Sequence, residues 1–170
     1  MPKHLVSLAA VFLLVGTANI CQAGLIPWTA SINETQEVPA SGSTATGFAT
    51  GTLDDISGLL SWDISFTGLT GPATAMHFHG PATVGVNAGV QVNIGAISGL
   101  FSPSIGSTLI DVAQAAQLLA GNWYINIHTA IYPGGEIRGQ VVPGRIPIPA
   151  TLTLFGIGLA GLGWSRRKRA

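Results

Sequence analysis

Four side chains are best placed to do chemistry. They are His77 and His79 in Ala75-Met76-His77-Phe78-His79-Gly80-Pro81, His128 in Asn126-Ile127-His128-Thr129, and Glu136 in Gly135-Glu136-Ile137-Arg138. A His-x-His pair on an extended strand puts both imidazoles on one face, roughly 6–7 Å apart, and the side chain between them on the other. If Met76 and Phe78 enter a core, His77 and His79 face outward. A third imidazole from a neighbouring strand makes a set able to bind zinc or copper, with Glu136 or water completing the shell. The same histidines have a structural use. Hydrogen bonds to backbone and loop groups would fix the Gly80-Pro81 turn and the hairpin around His128.

The elements that must position these groups are mostly strands. Trp123, Ile125 and Ile127 alternate with Asn122, Tyr124, Asn126 and His128, the period of a strand buried on one face. Tyr132-Pro133-Gly134-Gly135 reads as a turn, and Glu136 to Val141 returns as a second strand. Trp28, Ala30 and Ile32 alternate in the same way, as do Leu60, Trp62, Ile64 and Phe66, and also Val90, Val92 and Ile94. Glu34 to Thr46 is a loop by composition, and Gly47 to Leu53 a Gly- and Thr-rich strand. Asp111 to Ala120 lacks Gly and Pro and is followed by Gly121, which predicts one short helix with a glycine stop. Many short strands and one helix predict an all-β fold, either an antiparallel β-sandwich or a partly closed barrel. Trp28 and Trp62 are expected in its core, and Glu136 and Arg138, two apart on one strand face, are expected to pair with neighbouring strands.

Composition excludes several functions. The 170 residues carry no net charge, but the basic groups sit at the two ends. Residues 24–143 keep one basic side chain, Arg138, against seven acidic ones, a net of −6. That sign repels a phosphate backbone, so no nucleic-acid partner is expected. Cys21 is the sole cysteine and lies in the amino-terminal segment, so residues 24–143 offer no thiol nucleophile or thiolate ligand. No serine sits in a nucleophile-elbow context. Asp54-Asp55 reads as a turn, and Gly80 to Gly89 lacks the lysine of a phosphate loop. With no catalytic constellation recognised, the expectation is a protein that is not an enzyme.

The two ends read as targeting segments. Residues 1–23 have a short basic start, an apolar run from Leu5 to Gly16 and a small-residue cleavage site before Gly24, the pattern of a secretory signal peptide. Residues 24–143 form the β domain. Residues 144–170 begin with a Pro-rich break, continue as the uncharged apolar stretch 146–164, and end in Arg166-Arg167-Lys168-Arg169. Nineteen uncharged residues just suffice to span a bilayer as a helix, with the basic end cytoplasmic.

The tail, P-I-P-A-T-L-T-L-F-G-I-G-L-A-G-L-G-W-S-R-R-K-R, resembles the PEP-CTERM sorting signal of Gram-negative bacteria, with Ile148 where that family has Glu. The resemblance implies sorting through the tail and processing by an exosortase-type membrane protease. The middle resembles the CHRD domain, first described in chordin, through Glu37-Val38-Pro39, A-M-H-F-H-G-P-A at Ala75 to Ala82, and the N-I-H-T and G-G-E-I-R-G-Q elements within Gly121 to Gln140. It implies a secreted β-rich module of the cell surface or extracellular matrix, whose partner is a protein or a polysaccharide. His-x-His on a strand is also similar to a fragment of copper–zinc superoxide dismutase, whose other histidines and aspartate have no counterpart here. The expected function is thus an exported, non-enzymatic binding or structural module. The alternative is a histidine-ligated, redox-capable metal protein.

Overall fold

The structure is a computed structural model that describes residues 24–144. The expected signal peptide and the membrane helix over 146–164 lie outside the described residues. Among the described residues, no helix is long and apolar enough to cross a membrane.

Alternation in the sequence becomes alternation in burial. Along β1 (Leu25–Asn33), Ile26, Trp28, Ala30 and Ile32 are buried while Leu25, Pro27, Thr29 and Ser31 are exposed. β2 (Thr46–Asp54) and β3 (Leu59–Thr67) pair with it in antiparallel succession. β4 (Ala73–His79) and β5 (Val90–Asn93) follow, then β6 (Ser104–Leu109), β7 (Tyr124–Thr129), β8 (Ile137–Gln140) and the two-residue β9 (Val142–Pro143). All join one antiparallel sheet in the order β5-β4-β7-β8-β1-β2-β3-β6, with β9 paired to β1.

The sheet curls into a half-barrel, which settles the choice between sandwich and partly closed barrel in favour of the barrel. Its curl is visible in the core. Phe78 on β4 meets Trp28 on β1 and Trp62 on β3 edge-to-face, both at 5.7 Å between ring centroids, and Trp123 at 5.9 Å. Strands distant in sheet order thus meet across the interior, where each such ring pair adds about 0.5–1.5 kcal/mol beyond area burial. Room for the rings comes from glycine: a Cβ at Gly51 on β2 would collide with the Trp28 ring and with the Ser61 carbonyl.

Two helices complete the fold. α2 (Val112–Leu119) matches the expected helix, opened by a capping box in which the Asp111 side chain accepts from the Gln114 amide and the Gln114 side chain accepts from the Asp111 amide. It closes on Gly121 at φ 73°, with the Gly121 amide donating to Leu118 and the Asn122 amide to Gln117, a Schellman ending. α1 (Ile94–Ser98) was not expected, because Ile94 continues the alternation of Val90 and Val92. The Asn93 side chain ends the strand by accepting from the Ala96 amide, an N-cap that starts a helical turn. α1 packs against β4 and β6, on the open side of the half-barrel, and its Ser98 hydroxyl accepts from the Trp62 indole at 3.0 Å.

Candidate functional site

Met76 and Phe78 are fully buried in the core, so His77 and His79 project from the opposite face of β4. β7 lies beside β4, with Ala75 opposite His128, His77 opposite Asn126 and His79 opposite Tyr124. Ile125 and Ile127 enter the core, which sends His128 to the same outer face. The three imidazoles converge there: one ring nitrogen from each can be chosen so that all lie within 4.8 Å of one another. His77 Nδ1 and His128 Nε2 are 3.3 Å apart. All three side chains are half-buried.

Two of the rings have fixed tautomers. His79 Nδ1 lies 2.9 Å from the Ala88 carbonyl, and His128 Nδ1 3.1 Å from that of Pro133. A carbonyl only accepts, so each Nδ1 carries the proton and each Nε2 presents a lone pair. The Nε2 of His79 is buried without a partner among the described residues. Burial lowers the pKa of all three histidines. For His77 the neighbouring imidazoles reinforce the effect, and for His79 and His128 the backbone hydrogen bonds oppose it. The neutral rings, which have lone pairs to give, are therefore favoured.

Glu136, expected as a fourth ligand, is committed elsewhere. Its carboxylate is fully buried and accepts from the Ser43 hydroxyl at 2.7 Å, the Thr70 amide at 2.9 Å, the Thr70 hydroxyl at 2.8 Å and the Thr129 hydroxyl at 2.6 Å. Burial alone would raise its pKa, but these four donors outweigh that and hold it below the usual carboxylate value. It ties the loop before β2 and the β3–β4 turn to β7, and it stands apart from the group of three histidines.

Arg138 meets the neighbouring strand β7 through Tyr124 and reaches a loop besides. Its guanidinium carbon lies 3.4 Å from the centroid of the Tyr124 ring, and its nitrogens donate to the Asn87 side chain at 3.1 Å and the Val86 carbonyl at 2.9 Å. Tyr124 in turn stacks on His79, with ring planes 8° apart and centroids at 5.0 Å. Glu37 accepts from the Asn126 side chain at 2.8 Å and attracts Arg138 through space. Two loops are thereby drawn over the outer face of β4, β7 and β8. Tyr124, Asn126, Arg138 and Glu37 are all buried there, and strand parity alone gave no sign of this, since it places all but Glu37 on the outer side.

Among the described residues, the other half of the outer face is uncovered. Across β1, β2, β3 and β6 run rows such as Pro27-Thr52-Ser61-Ser107 and Thr29-Thr50-Asp63-Ile105, with Ser31-Phe48-Ser65 beyond them. Phe48 and Ile105 are 53% and 65% exposed, large values for side chains in the middle of paired strands.

Comparison with known families adds two findings. Residues 146–168 match the PEP-CTERM protein-sorting motif, which implies an exported protein sorted to the envelope through its C-terminus. No curated protein and no solved structure matches the chain. The model of the CHRD domain matches residues 28–141, from the core tryptophan of β1 to the end of the returning strand that holds Arg138. With two thirds of its length so matched, the chain belongs to the CHRD domain family.

Proposed function

We propose that this protein is a non-enzymatic binding module of the cell envelope or extracellular matrix. Its tail holds it in the membrane through residues 146–164 until an exosortase-type protease releases it. The uncovered face of β1, β2, β3 and β6 carries this reading. It is a broad array of threonine and serine hydroxyls interrupted by exposed Phe48 and Ile105, with Asp54 and Asp63 as its charged groups. An exposed surface that mixes apolar side chains with hydroxyls suits a partner that is itself hydroxylated and uncharged. Matrix polysaccharide of low charge fits that description, and a polyanion is disfavoured by the two aspartates.

Co-sedimentation tests this. The full chain is mixed with matrix polysaccharide from the same cells, beside a Phe48→Ser/Ile105→Ser variant whose changed side chains are both more than half exposed. Retention of the parent and binding weaker by roughly tenfold, about 1.4 kcal/mol, in the variant is expected. Equal retention of the two, or retention of neither, removes the reading. A second reading, metal binding, is favoured by a different observation, the meeting of three histidines.

A further inference from the structure

We propose that His77, His79 and His128 form a binding site for one transition-metal ion, zinc(II) or copper(II), with a coordination position left open to solvent. The inference is independent of what the uncovered face binds. Four observations carry it.

Distance is the first. Two imidazole nitrogens on one tetrahedral ion, each at about 2.0–2.1 Å, are separated by about 3.3 Å. His77 Nδ1 and His128 Nε2 stand 3.3 Å apart. The ligand atoms of the trio all lie within 4.8 Å of one another, so a pair already at the tetrahedral spacing has the third nitrogen close by.

The second is the backbone tethering. Metal-binding histidines characteristically donate their other ring N–H to a carbonyl or carboxylate, which fixes tautomer and orientation. His79 does so to Ala88 and His128 to Pro133. Both tethers leave Nε2 as the ligand atom.

The third is an unsatisfied atom. His79 Nε2 is buried without a partner among the described residues. A purely structural role for His79 is complete once Nδ1 has bonded Ala88, and it leaves this lone pair unexplained. An ion shared with His77 and His128 would satisfy it.

Support for the ring is the fourth. Tyr124 stacks on His79 within 8° of parallel, and Arg138 covers the Tyr124 ring. The ring of His79 is thus braced from the side.

Ligand chemistry sets the class of ion. Neutral imidazoles suit zinc, copper and nickel over magnesium or calcium, and copper(II) leads the first-row divalent series in affinity. Three protein ligands leave room for water or a small exogenous donor.

The test uses the full chain in detergent without an affinity tag. It is saturated with zinc or, separately, copper(II), then dialysed and analysed for metal, beside His77→Ala/His79→Ala/His128→Ala. The variant keeps His4, so any contribution from the amino-terminal segment appears in both samples. About one ion per chain in the parent and less than about a tenth in the variant is the expected result. Equal loading of the two proteins, or no retained ion in either, overturns the proposal. Should the triple variant fail to fold, His77→Ala serves instead. The His77 ring nitrogens bond no backbone group, and its loss should weaken copper affinity at least tenfold and remove one imidazole nitrogen from the paramagnetic spectrum of the copper-loaded protein. Unchanged affinity and spectrum in that variant would sink the idea.

Discussion

At the scale of single residues, the outward turn of the histidines and the burial of Glu136 decide which groups an ion on the outer face can meet. Met76 and Phe78 go inward and His77 and His79 outward because their neighbours alternate, a relation contained within seven consecutive residues. Glu136 is held largely by residues distant in the chain. Two of its donor residues, Ser43 and Thr70, lie 93 and 66 residues away along the chain, and no local pattern announces them. The consequence can be tested with Glu136→Gln. An amide supplies one acceptor oxygen where four donors converge, and turns an N–H₂ toward them. Denaturation in urea should show a loss of roughly 1.5–3 kcal/mol, the range for hydrogen bonds to a charged group, while metal loading stays at the parental level. The pH dependence has a defined sign. The folded carboxyl titrates below its ordinary value of 4.5. Its stabilisation is therefore complete above that value and is lost as pH falls through the lower folded pKa. The parent should lose stability with acid more steeply than the Gln variant; parallel pH profiles would show that the four donors do not favour the ionised form.

At the scale of elements, the strands with clean alternation and the capped helix α2 followed from local pattern, whereas α1 did not. Val90, Val92 and Ile94 keep the period of two through a boundary that the Asn93 side chain imposes by capping Ala96. The partly closed barrel was one of two architectures the pattern allowed, and the choice stayed open because the curl depends on which glycines lie under tryptophans on other strands. Gly51 and Trp28 make such a pair. In Gly51→Ala the new methyl meets the Trp28 indole of β1 and the Ser61 carbonyl of β3, which cannot yield without moving β1 and β3 away from β2. The expected cost is about 1–3 kcal/mol or more, the usual penalty for overpacking, read as a lower urea midpoint. A control at the start of α2 sets the scale: Asp111→Ala removes its cap and should cost about 1 kcal/mol without affecting the curl. A Gly51→Ala protein as stable as the parent would mean that Trp28 has another place to go.

At the scale of the whole molecule, half of the outer face of the half-barrel is roofed and the other half is bare among the described residues, and the chain that leaves the domain bears on where both halves work. The domain is tied down to its end, since β9 pairs with β1 and the Gly144 amide donates to the Pro27 carbonyl. Beyond it, the nineteen uncharged residues from Ile146 to Trp164 would extend about 28 Å as a helix, close to the ~30 Å hydrocarbon core. Arg166-Arg167-Lys168-Arg169 would stay cytoplasmic and leave the β domain outside. A chain ending at Gly144 should therefore still be exported but leave the membrane fraction for the soluble one, with its metal loading unchanged because every proposed ligand precedes the cut. Ile148 makes a second comparison possible. If the apolar side chain at that position slows recognition by an exosortase-type protease, Ile148→Glu should raise the proportion of shortened, released protein at steady state, followed by blotting of cell fractions. Persistence of the truncated chain on membranes would place the anchor within the β domain. An unchanged released fraction for Ile148→Glu would show that position 148 does not limit processing.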